Sequence, residues 1–341
     1  MSDPRPIGVF DSGVGGLTVL REILRRSPHE STVYLGDNAR APYGIRTDDE
    51  VRRFSMEALD ALAARDVKAL VVACNTSTAV ALRDLRARYD LPVLGVVRPG
   101  AAAAALATRN RRVGVIATPA TVRSHAYFNA IKDENPAVEV YEHATPRFVP
   151  MVEAGILSGP ELEAVIEEEL APLLGERDGE GEFVFPRPRS AKIDTLLLGC
   201  THYPLLRPLL TRTVGDRVAI VDSATATAAT LAELLSVNAL EAPGTTRGTA
   251  ADPGAAGHSR PAETYGSPPT HVQLTTGDVG RFRDIASRMF GEAFPDVESV
   301  ELGSVACWLG AGARTPGAGE GSPRSVSGRS GSSSARSWAP P

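Results

Sequence analysis

Lysine is almost missing from this 341-residue chain: Lys68, Lys132 and Lys192 are the only three. None lies in a glycine-rich pocket motif, which argues against a pyridoxal-phosphate enzyme, because that cofactor needs a lysine for its Schiff base. Acidic residues outnumber basic ones, 41 to 36, for a formal net charge of −5. That balance argues against nucleic acid as a partner, since phosphate binding needs a basic surface. Cysteine is also scarce. Three residues, Cys74, Cys200 and Cys307, are too few for a disulfide framework and fit the reducing cytosol. No run approaches the roughly 20 apolar residues of a membrane span, and residues 1–6 lead into Ile7-Gly8-Val9-Phe10 without an apolar signal segment. The expectation is a cytoplasmic protein with no membrane partner. Aromatics make up 5% and apolar residues 43%, so the cores are built from Val, Leu, Ala and Ile.

What is present is a regular alternation. Strand signals at 7–10, 32–35, 69–73 and 93–97 are separated by helical spacing at 17–26, 48–65 and 78–89. A second series follows, with a helix over 100–108, strands at 113–117, 138–141 and 195–199, and a helix over 160–174. A strand at 218–222, a helix over 224–235 and late strands at 271–275 and 300–302 complete the chain. This pattern predicts an α/β fold of two similar lobes, each a mostly parallel sheet flanked by helices, with the site in the cleft between them. The lobes are expected at 1–97 plus 213–309 and at 98–212. Residues 241–270 are expected to be a disordered insert and 310–341 a disordered tail, for want of large apolar residues. The charged, Pro/Gly-rich stretch 175–191 reads as loosely ordered too.

Two of the cysteines share a setting. Val71-Val72-Ala73-Cys74-Asn75-Thr76 and Leu197-Leu198-Gly199-Cys200-Thr201-His202 each run from a buried strand into small polar residues suited to a helix start. Backbone N–H groups and the helix dipole favour thiolate there. Two such thiols across a cleft suit the movement of a proton on and off the two faces of one carbon. Asp11 and Ser12 end the first strand in the turn Gly13-Val14-Gly15-Gly16. That turn lacks the Gly-Lys-Ser/Thr ending of a phosphate-binding loop, but its glycines allow backbone amides to approach a small anion. Cys200 and His202 alone, as a C-x-H pair without further clustered ligands, do not make a metal site, so no metal is expected.

Phe10-Asp11-Ser12-Gly13-Val14-Gly15-Gly16, Gly36-Asp37 with Pro42-Tyr43-Gly44, Ala73-Cys74-Asn75-Thr76 and Gly199-Cys200-Thr201-His202-Tyr203-Pro204 together resemble the glutamate racemases. These are the cofactor-independent branch of the aspartate/glutamate racemase superfamily. The resemblance implies a homodimeric enzyme that needs no cofactor and supplies D-glutamate for peptidoglycan. It implies Cys74 and Cys200 as the two bases, Asp11 assisting Cys74, and His202 and Glu153 assisting Cys200. Asp11, Ser12, Tyr43, Gly44, Asn75, Thr76, Thr201 and His202 match the family's substrate contacts. Thr118 and Thr121 could join them at another helix start, and Asp37 could polarise or brace its loop. The alternatives are an aspartate or other amino-acid racemase of the same superfamily, or a non-catalytic glutamate-binding protein.

Overall fold

Strands that are covered by helices on both faces must be apolar throughout, and the short Val/Leu/Ile runs of this chain meet that need. A computed structural model describes residues 2–174, 176–177, 183–184, 193–244, 268–290 and 297–302. These fall within one compact unit, Met1–Gly303. The first sheet has six parallel strands in the order β12-β11-β2-β1-β3-β4. They are β1 (Ile7–Asp11), β2 (Thr32–Gly36), β3 (Ala69–Val72), β4 (Val93–Gly95), β11 (His271–Thr275) and β12 (Val297–Ser299). The second has four parallel strands in the order β10-β9-β5-β6: β5 (Arg112–Ala117), β6 (Glu139–Ala144), β9 (Thr195–Gly199) and β10 (Ala219–Asp222). A small antiparallel ladder, β7 (Glu176–Arg177) with β8 (Phe183–Val184), lies within the stretch expected to be loose.

The helices have local causes. α1 (Leu17–Arg26) buries Leu17, Leu20 and Ile23 at three-residue spacing. α2 (Asp48–Ala63) opens with a capping box between Thr47 and Glu50, followed by an acidic first turn that suits the helix dipole. α3 (Asn75–Arg88) starts directly after Cys74. α4 (Val97–Ala107) starts three residues earlier than its alanine run suggests, with Pro99 accommodated in the first turn. Thr118 caps the short α5 (Pro119–Arg123), and Pro119 sits at its first position. α6 (Ala126–Glu134), α7 (Phe148–Glu153), α8 (Pro160–Leu174) and α9 (Arg207–Val214) pack on the second sheet. Asp222 caps α10 (Ser223–Val237), which returns to the first sheet beside α1. α11 (Val279–Phe290) joins the same layer.

One boundary differs from the expected arrangement. The sequence pattern places residues 213–222 with the first lobe, yet β10 pairs in parallel with β9, Ala219 opposite Thr195. The chain therefore crosses back at α10. Its strand pattern is the same in either sheet, and only the pairing partner decides. The late strand falls at 297–299 instead of 300–302. Residues 245–267 of the expected insert, the expected tail 310–341, and Cys307 lie outside the described residues.

Candidate active site

In open parallel sheets, ligands bind beyond the carboxyl ends of the strands, and here two such edges face one another. β3 delivers Cys74, β5 delivers Thr118, β6 delivers Thr145 and β9 delivers Cys200, all onto a single cavity of about 110 Å³. That volume lies well below the roughly 300–1,000 Å³ of drug-sized ligand sites, so the occupant is small. Among the described residues, no group of three or more His, Cys, Asp or Glu could hold a metal ion. Nor is any described helix long and apolar enough to cross a membrane.

The two thiols have unlike surroundings. Cys74 caps α3, accepting from the Ser77 N–H at 3.4 Å, while its thiol donates to Ser12 Oγ at 3.5 Å. Burial, and next the nearby Asp11 carboxylate, push the Cys74 thiol up to about 11 against its hydrogen bonds with Ser12 and Ser77. Cys200 instead faces His202 Nδ1 at 3.7 Å. His202 Nε2 lies 3.3 Å from Glu153 Oε1, a charge contact without hydrogen-bond alignment. Burial works against the imidazolium, yet Cys200 and Glu153 outweigh it and raise His202 to about 10. A thiol therefore stands on one side of the cavity and a sulfur beside an imidazolium on the other.

The remaining predicted residues divide. Ser12, Tyr43, Gly44, Asn75, Thr76, Glu153, Thr201 and His202 line the cavity. Thr76 Oγ1 meets Thr118 Oγ1 at 3.0 Å and Thr121 Oγ1 at 3.4 Å, a hydroxyl cluster that spans both lobes. Gly44 packs so closely on Thr118 that an added Cβ would come within 2.7 Å of its side chain. Tyr43 offers the cavity its ring, because its hydroxyl donates to Asp37. Asp37 also accepts from Arg40 Nε and Thr276 Oγ1, both at 2.7 Å, and so braces the loop.

Asp11 is the exception: it is fully buried and does not line the cavity. Its carboxylate accepts from the Gly13 N–H at 2.9 Å and from the Thr201 hydroxyl at 3.3 Å. The anion held by the glycine turn is thus the chain's own side chain. Burial raises the Asp11 carboxyl against these donors and the charge of His202. Sequence reasoning missed Thr145, which lines the cavity and donates to the Tyr203 hydroxyl at 2.6 Å. Its place just beyond β6 was the available signal.

Paired thiols on one small cavity between two parallel α/β lobes define the class of this protein. The profile of the family described as Asp/Glu/Hydantoin racemase matches residues 7–180, and the chain belongs to that family. A glutamate racemase of Oceanobacillus iheyensis is 41% identical over 289 residues, covering 85% of this chain and 93% of that protein. The crystal structure of a Bacillus anthracis glutamate racemase superposes with a TM-score of 0.74 at 36% identity, covering 87% of this chain and 98% of that one. A Francisella tularensis glutamate racemase, solved in complex with D-glutamate, gives a TM-score of 0.71 at 32% identity, covering 88% and 98%.

Proposed function

We propose that this member of the glutamate racemases interconverts L- and D-glutamate by passing the α-proton between Cys200 and Cys74. The supporting observation is that one cavity carries a sulfur from each lobe. In one direction the Cys200 thiolate, beside the His202 imidazolium, takes the α-proton and forms an S–H bond. The electron pair left on the α-carbon then takes the proton of the Cys74 thiol on the opposite face. The enantiomer leaves with Cys200 as thiol and Cys74 as thiolate, and the reverse direction starts from that state. Glu153 holds charge behind His202, and Asp11 acts on Cys74 through space and on Thr201 by direct contact.

Acid–base groups contribute about 10²–10⁴-fold, too little alone for so weak a carbon acid. N–H groups at the start of α3, with the Thr76 hydroxyl, provide fixed donors for charge that develops on the carboxylate. The cellular role that follows from the family is supply of D-glutamate for peptidoglycan in the cytoplasm. The working unit implied by the family is a homodimer; a monomer in sedimentation experiments at micromolar concentration rejects that assembly.

Solvent deuterium incorporation tests the two-base reading. Wild type should exchange the α-hydrogen of both enantiomers, whereas Cys74→Ala and Cys200→Ala should each lose racemisation by at least about 10³-fold. Full racemisation by either variant shows that another base operates. Circular dichroism across amino acids tests the substrate, and faster turnover of aspartate than glutamate overturns the choice of glutamate.

A further inference from the structure

Asn75 is almost fully buried on the cavity wall at the first position of α3. Its side-chain Oδ1 accepts the hydroxyl of Tyr127 at 2.5 Å. Its Nδ2, which carries two donor hydrogens, is buried and has no partner. A buried donor left unpaired is costly, and this one belongs to a residue that faces a ligand cavity.

Tyr127 comes from the other lobe, on α6, and is fully buried. Its ring is wedged against β9 and α4: a Cβ added at Gly199 would lie 2.9 Å from the ring, and one at Gly100 would lie 3.4 Å away. Ser223, at the start of α10, stands beside the same residue next to Gly100 and acts on the phenol against the effect of burial. A primary amide can be turned by 180° at little change in shape, and a phenol can donate or accept. Here the phenol's own hydrogen goes to Asn75 Oδ1. That choice turns Nδ2 away from Tyr127.

We infer that Tyr127 is a positioning residue whose hydroxyl fixes the Asn75 amide so that Nδ2 donates to a carboxylate of bound glutamate. The inference rests on the functional reading above. Tyr127 touches no substrate itself. It preserves one orientation of a donor that otherwise has two, and it does so from the opposite lobe, so the donor is set only when the lobes are together.

The test compares wild type, Tyr127→Phe, Asn75→Ala and the double variant by calorimetric Kd for glutamate and by kcat and KM. Tyr127→Phe keeps the ring packing and should raise Kd and KM about tenfold, the scale of one charge-assisted hydrogen bond, with kcat within about twofold. The double variant should be no weaker in binding than Asn75→Ala alone. Ser223→Ala, which leaves Asn75 and the phenol in place, should raise Kd in the same direction by a smaller factor. Thermal melting separates folding from positioning, and if Tyr127→Phe does not fold, Ser223→Ala decides. Wild-type Kd in Tyr127→Phe, or effects of the two single variants that multiply in the double, overturn the inference. Wild type that binds glutamate without racemising it overturns the functional reading alone and leaves the Kd comparison to decide the role of Tyr127. Wild type that does not bind glutamate overturns both.

Discussion

The imidazole of His202 separates the two sulfurs chemically. Enantiomers of glutamate have equal free energy, so kcat/KM must be the same in both directions at every pH, however unlike the two bases are. The asymmetry between a thiol pushed up to about 11 at Cys74 and an imidazolium held to about 10 at His202 therefore acts on a shared profile. Once the ionisation of the substrate ammonium is divided out, wild-type kcat/KM should be flat from about pH 7 to about 9 and should fall above about 10. There His202 loses its positive charge, and Cys74 next loses the proton that the proposed path takes from it. His202→Asn removes the positive charge that stands beside the Cys200 sulfur. Its activity should drop about 10²-fold at pH 7. Stopped assays by circular dichroism check both the wild-type profile and the variant's loss, and wild-type activity in the variant rejects the pairing. Cys74, Cys200, His202 and Thr76 were legible in the sequence because polar residues directly after apolar runs end up at strand tips. The enclosure of Asp11 was not, since its donors are the Gly13 backbone amide, which carries no residue-type signal, and the Thr201 hydroxyl, which arrives from the other lobe.

Among the elements, the turn between β1 and α1 bears on the neighbouring lobe. A Cβ at Gly15 would come within 2.5 Å of Thr201 Oγ1 and 2.7 Å of His202 Nδ1. Gly15→Ala must therefore shift the residues that flank Cys200. Misplacement of that order costs about 10²-fold in rate, so kcat/KM should fall by that factor while the circular-dichroism spectrum stays native. Wild-type activity in this variant would mean the lobes have room to spare. The sequence suggested that the glycines served a bound anion, and the structure assigns Gly15 to close packing between lobes instead. Strand and helix positions in the first 100 residues followed from periodicity, as for 7–11 and 17–26. Short α6 and α7 did not, because nine and six residues are too few for a clear helical period. Nor did the sheet of β10, since its hydrogen bonds to β9 join residues 24 positions apart, Ala219 opposite Thr195, and leave no local trace.

For the whole molecule, the end of the first sheet away from the cavity is tied by a buried ion pair. Lys68 Nζ lies 2.5 Å from Glu30 Oε2 and donates to the Asp3 carbonyl at 2.8 Å. Glu30 Oε1 accepts from the Ala242 N–H at 2.8 Å. The pair thus collects the N-terminal segment, the strand that leads to Cys74, and the chain leaving α10. Lys68→Met should destabilise the fold by about 3–5 kcal/mol by leaving a buried carboxylate unpaired, and Lys68→Met with Glu30→Leu should recover most of that loss. Denaturant midpoints measure both, and a single variant as stable as wild type removes this tie from the account. The few lysines of the chain drew attention in the sequence only as an absence; that one of them would be buried depends on Glu30 arriving from another element.

The unequal settings of the two sulfurs give the molecule a short memory. If the proton passes as proposed, each conversion releases the mirror-image product and leaves the enzyme loaded for the opposite hand, with the mobile hydrogen parked on the other sulfur. The cation beside Cys200 draws that state back, through exchange with solvent, to the one from which the first conversion began.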